Sequence, residues 1–119
     1  MLSRIWNGCV SNEMLTDYLK YVVKTGVNDC TAAEGNLGVL ILKNTINTTS
    51  RITFISFWEN RQSMVKFFKS DSNHAKLYPE DKNYLLSSDD MVILSEAYLY
   101  NSRKVNKPID LQLPHGVII

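Results

Sequence analysis

Apolar and polar positions along this chain repeat in two different periods, and the changes of period mark out the elements. Leu2 to Val10 is short and rich in branched and aromatic residues, which predicts a strand. Ser11 then stands as an N-cap, with Glu13 in the first turn of a helix that runs to about Thr25. Leu15, Tyr18, Leu19, Val22 and Val23 fall on one stripe of that helix, and Gly26 is placed to end it. After a loop from Asn28 to Gly35, Leu37 to Lys43 and Ile52 to Trp58 read as two strands of a hairpin joined by the polar loop Asn44 to Ser50. A second helix is expected over Asn60 to Lys69, with Met64, Phe67 and Phe68 inward. An irregular stretch containing Pro79 follows, and Ser87-Ser88-Asp89-Asp90 introduces a last strand, Met91 to Tyr100.

The order strand, helix, strand, strand, helix, strand is that of the ferredoxin-like split unit. It predicts an α+β fold in which a four-stranded antiparallel sheet carries both helices on one face. Val39 to Leu42 and Ile52 to Trp58 are apolar on both faces instead of alternating, so the face without helices needs cover. A bare apolar sheet is not tolerated in a soluble monomer, and a homodimer with two sheets face to face is the expectation. Residues 1–100 make up the predicted domain. Residues 101–119 form an extension in which Ile109, Leu111 and Leu113 alternate with polar residues, suited to docking along an edge or on a partner subunit.

Composition narrows the function by exclusion. At 119 residues the chain is one domain, and 45% hydrophobic with 21% charged residues is ordinary for a globular protein. Thirteen Lys and Arg against twelve Asp and Glu, without a long run of either sign, leave no electrostatic footprint for nucleic acid. Cys9 and Cys30 form no close pair of the kind that holds zinc or does redox chemistry, so no metal is expected. No apolar run is long enough for a signal peptide or a membrane span, which makes the cytoplasm the expected compartment. Phosphate loops, HExxH and nucleophile elbows are missing, which argues against kinases, zinc proteases and ordinary hydrolases.

Four stretches carry a resemblance: Arg4-Ile5-Trp6-Asn7-Gly8; Tyr18 to Gly38, with Thr25-Gly26-Val27 and Glu34-Gly35-Asn36-Leu37-Gly38; Ser56-Phe57-Trp58-Glu59; and Tyr78-Pro79-Glu80-Asp81. Over residues 4 to about 100 the chain resembles the antibiotic biosynthesis monooxygenase-like family of the dimeric α/β-barrel superfamily. The resemblance implies the ferredoxin-like fold, a homodimer and a small pocket for an apolar or aromatic ligand. In the haem-degrading branch, the resemblance places Asn7 at a first-strand asparagine, Phe67 at a tryptophan position and Leu77 at the position of the iron-binding histidine, three residues beyond His74. In the quinone-forming branch, which uses no cofactor, Trp58 matches a site tryptophan while Phe54 stands where an asparagine is expected.

The resemblance therefore implies oxidation of a small aromatic or quinone-like compound without metal or flavin. Asn7 would orient the substrate, His74 would assist proton transfer, and Trp58 and Phe67 would line the cavity. Two further residues complete the expected site: Tyr78, which also reads as a pin for its loop, and Glu96, either a pocket acid or a surface charge. The alternatives are a non-catalytic dimer binding a small ligand or haem, and a haem-degrading monooxygenase. Two of the expected residues also have a structural reading, Trp58 as a core anchor whose ring N–H finds an acceptor and His74 as a solvent-exposed loop residue.

Overall fold

In the computed structural model, which describes residues 1–100, strand β1 (Leu2–Ser11) runs through the middle of an antiparallel sheet. β1 pairs along its whole length with β3 (Thr49–Trp58), from Leu2 opposite Trp58 to Ser11 opposite Thr49. β3 pairs in turn with β2 (Asn36–Ile46), which forms one edge. On the other side of β1 lie two short strands, β4 (Leu85–Ser88) and β5 (Ile93–Glu96), opposite Gly8–Val10 and Leu2–Ile5 respectively. The single last strand expected over Met91 to Tyr100 is thus an edge in two pieces, and the sheet has five strands. The interruption has a cause in side-chain and backbone pairing: the Asp89 N–H donates to the Asn7 carbonyl, while Val92 N–H turns away to the Asn73 carbonyl and buries its side chain in the core. The expected arm around Ile109, Leu111 and Leu113 lies outside the described residues.

The helical layer departs from expectation more informatively. Helix α1 (Leu15–Val22) does not stop at Gly26; it continues through a π-helical segment, Val23–Val27, into α2 (Asn28–Ala32). Gly26 passes so close to the sheet that a Cβ there would lie 3.2 Å from the Phe54 ring. A glycine in a helix costs roughly 0.5–1 kcal/mol against alanine, and here close packing on Phe54 is what it permits. Thr25 hydroxyl donates to the Tyr21 carbonyl one turn back, a contact that tends to open the helical ladder. The chain then reverses at Gly35 (φ 83°) and enters β2 through a bulge at Asn36–Gly38, where Asn36 Oδ1 accepts from Gly38 N–H.

The hairpin turn is tighter than the polar loop Asn44–Ser50 suggests, because the strands persist to Ile46 and Thr49 with Asn47 at φ 56°. Helix α3 (Arg61–Phe68) begins at Asn60, whose side-chain oxygen accepts from Ser63 N–H at 2.9 Å, and ends at Lys69 in the left-handed region. Strand alternation then sorts the sheet. Trp6, Val10, Ile52, Ser56 and Trp58 lie buried under the helices. Ile5, Leu40, Leu42, Ile55, Phe57 and Ile93 occupy the opposite face, where Leu42 is 37% and Ile93 59% exposed. Among the described residues, no helix is long and apolar enough to cross a membrane.

Candidate functional site

The space left where the π segment meets the sheet is a cavity of about 70 Å³. β1 and β3 form its floor with Arg4, Trp6, Ile52 and Phe54. Tyr18, Val22, Thr25, Gly26 and Cys30 come from the α1–α2 run, and Phe67 and Phe68 from the end of α3. The outer wall is Lys76, Leu77, Tyr78 and Asp81, from the Pro79-containing stretch. At roughly 10–15 Å³ each, the space holds on the order of five waters, which is the bulk of one six-membered ring with a substituent.

The outer wall is tied to the first helix by hydrogen bonds. Asp81 Oδ2 accepts from Tyr78 N–H at 2.6 Å and Oδ1 from the Tyr18 hydroxyl at 3.3 Å. The Tyr78 hydroxyl reaches Asp29 at 2.6 Å, and Glu80 N–H donates to the Tyr21 hydroxyl. Tyr84 stacks on Tyr21 with ring centroids 5.4 Å apart. Burial raises the Asp81 carboxyl above its ordinary range, opposed by the hydrogen bonds from Tyr78 and Tyr18. The Tyr18 and Tyr78 hydroxyls are pushed up by burial and by their carboxylate partners, so both stay protonated donors.

Arg4 is the exceptional group. It is 8% exposed, its guanidinium lies 3.8 Å above the centre of the Phe68 ring, and its Nη2 donates to the His74 carbonyl at 3.3 Å. No Asp or Glu among the described residues forms an ion pair with it. Desolvation lowers its pKa to about 10, which leaves it charged at neutral pH. Burial pushes the Cys30 thiol up to about 12, opposed by Arg4, so it sits beside the cavity as a neutral thiol.

Of the residues expected to form the site, the structure brings Phe67 and Tyr78 to the cavity. Trp58 lies in the adjoining core, fully buried, with its ring N–H donating to Ser56 Oγ at 2.9 Å and its ring 5.4 Å from Phe67. The geometry does not bring Asn7, His74 or Glu96 there. Asn7 follows Trp6 in a strand and so points to the opposite face, where it accepts from Thr53 Oγ1 at 2.6 Å and donates to Asp89 at 3.0 Å. His74 presents its backbone to Arg4 while the residue as a whole is exposed. Glu96 is exposed on β5 and accepts from the Tyr98 hydroxyl.

Arg4, Trp6, Tyr18, Cys30 and Asp81 are the cavity residues that sequence reasoning passed over. One signal for Arg4 was readable: it sits two residues before Trp6, in phase with the inward side of β1.

The fold recurs in solved structures. A candidate antibiotic biosynthesis monooxygenase from Bacillus cereus matches with a TM-score of 0.60 and 10% identity, over 84% of this chain and 97% of that one. The haem degrader MhuD from Mycobacterium tuberculosis, with two haems bound in its active site, matches at 0.53 and 12% identity, over 86% and 100%. A mutant of MhuD with two manganese protoporphyrin IX bound per active site matches at 0.55 and 12% identity, over 86% and 99%. Neither protein-family models nor curated proteins match the sequence. The fold is therefore that of the antibiotic biosynthesis monooxygenase-like proteins, as the sequence resemblance implied.

Proposed function

We propose that this chain is a monooxygenase that works without a cofactor on a single-ring aromatic or quinone-like compound held between the sheet and the helices. The observation that carries this reading is the cavity itself: one ring in volume, walled by Trp6, Phe54, Phe67 and Phe68, with polar groups at Arg4, Tyr18, Tyr78 and Asp81, in a fold shared with a candidate antibiotic biosynthesis monooxygenase. In such a site the substrate's own electron-rich anion reduces dioxygen. A phenol ring C–H becomes C=O, one oxygen atom of dioxygen becomes that carbonyl oxygen, and the other leaves as water with the hydrogens of the C–H and the phenol O–H. The protein contributes a dry, shaped enclosure and a few fixed donors.

Haem, which MhuD binds, does not fit these residues. A porphyrin is several times the bulk of the single ring this cavity admits, Leu77 stands where the resemblance expects an iron-binding histidine, and His74, the single histidine among the described residues, is exposed and does not line the cavity. A haemin titration is expected to give no His74-dependent Soret shift.

The open sheet face supports a homodimer. Ile5, Leu40, Leu42, Ile55, Phe57 and Ile93 form a continuous apolar surface across four strands, and a second copy of the same face is its self-complementary cover. We place the protein in the cytoplasm, where the free thiols of Cys9 and Cys30 stay reduced.

One observation favours a second reading, a binding protein without turnover: Asn7 and His74, the residues first expected to act on substrate, both lie outside the cavity. Oxygen uptake separates the two. With a panel of single-ring phenols, the monooxygenase reading expects consumption of one dioxygen per quinone formed, with no hydrogen peroxide released. Binding without uptake by any member of the panel would leave the binding protein.

A further inference from the structure

We propose that the cavity selects an anionic ligand, a single-ring aromatic acid whose carboxylate pairs with the Arg4 guanidinium. The inference rests on the reading of this cavity as the ligand site, and it adds the ligand's charge.

The unmet demand in the cavity is one-sided. Arg4 has five N–H donors in a planar fork, and its guanidinium makes one hydrogen bond among the described residues, to a backbone carbonyl. The acceptor nearby is already engaged, since both oxygens of Asp81 are taken by Tyr18 and Tyr78. Lys76 adds a second cation at the outer wall. What Arg4 lacks is an anionic partner of its own, and a cation held among apolar side chains favours an acceptor that carries negative charge.

Shape selects the rest of the ligand. The guanidinium carbon lies 3.8 Å from the centre of the Phe68 ring, and four of its five N–H donors have no partner among the described residues, which suits a planar, bidentate carboxylate. Phe54 and Phe67 bound the space where a ring attached to that carboxylate would lie, and the volume admits one ring.

Benzoate and 2-hydroxybenzoate are suitable probes, with benzamide as the neutral isostere, measured by calorimetric titration of the full chain. Benzoate is expected to bind at least about tenfold more tightly than benzamide, and the preference should fall to about twofold or less in Arg4→Met. Because Arg4→Met replaces a buried cation by an apolar chain of similar length, its thermal midpoint should not fall, which separates lost recognition from lost folding. If Arg4→Met is poorly folded, Arg4→Lys serves: it keeps the charge but loses the fork, and an intermediate preference is expected. Indole N–H resonances give an independent readout, since benzoate should move the Trp6 signal and leave that of Trp58, which is bonded to Ser56, in place.

Equal affinity for benzoate and benzamide, no binding of either, or an undiminished preference in a folded Arg4→Met would overturn the proposal. Binding with this selectivity but no oxygen uptake on any phenolic acid would sink the monooxygenase reading alone. Turnover of neutral phenols indifferent to Arg4 would sink the charge selection alone.

Discussion

Asp81 joins two segments through one carboxylate: α1 through Tyr18, and the Pro79 stretch that forms the outer cavity wall through Tyr78. Asp81→Ala leaves a buried hydroxyl and a backbone N–H unpaired, and should cost about 2–4 kcal/mol in urea or thermal unfolding. Its pH dependence has a definite sign. Burial raises the folded-state pKa above the unfolded value of about 3.9, so the folded protein holds this proton more tightly. The stability linked to the neutral carboxyl is complete below that value and is lost as pH rises through the raised one. Relative to Asp81→Asn, which cannot titrate, the wild-type protein should lose stability across that window; parallel stability–pH curves would contradict the assignment. Trp58 belongs to the core, so Trp58→Ala should cost about 3–5 kcal/mol, whereas Ser56→Ala should cost about 1–3 kcal/mol by orphaning the ring N–H. Among single residues, Phe67 and Tyr78 were legible because their elements place them beside the cavity. Asn7 was expected at the site on the resemblance, whereas the alternation fixed by its neighbours Trp6 and Gly8 puts it on the other face.

At the level of elements, the sequence signals for existence and order hold, and those for boundaries give way to tertiary packing. Gly26 reads locally as a stop signal, yet it lies mid-helix because Phe54, twenty-eight positions further along the chain, needs the missing side chain. Nothing local to Gly26 announces that contact. The π segment is also what sets the cavity's roof, with Thr25 and Gly26 on its lining. Gly26→Leu should therefore fill the space above Phe54. We expect it to abolish binding of any single-ring ligand in a titration while far-ultraviolet circular dichroism still reports a folded chain; unchanged binding would mean that the ligand lies elsewhere. The divided edge was hidden for a similar reason. Met91 to Tyr100 has strand-forming composition throughout, and the break before Ile93 depends on where Asn73 and Asn7 offer their carbonyls.

The molecule as a whole is a two-layer structure with one apolar face left open, and its architecture was the most legible feature of the sequence: the doubly apolar strands Val39–Leu42 and Ile52–Trp58 signalled both layers. A charge in the middle of the open face should break the proposed dimer without touching the core beneath the helices. Ile55→Lys is expected to convert a two-chain mass in sedimentation to a one-chain mass, and to leave the affinity for benzoate within about twofold because Ile55 and the cavity lie on opposite sides of the sheet. A wild-type mass of one chain at micromolar concentration would refute the dimer. The two borders of the sheet bear on how such assembly ends. One is cut in two between β4 and β5; the other, β2, is bulged at Asn36–Gly38 and carries exposed Lys43 and Asn44 toward its tip. The divided border offers no long, even row of hydrogen-bonding groups to an incoming strand, and on β2, regular from Val39 to Ile46, the bulge before that run and the Lys43 charge within it are what discourage one. Lateral growth into ribbons or fibrils is disfavoured at both borders, so stickiness confined to a single face can be satisfied once, by one copy, and then has nowhere to propagate.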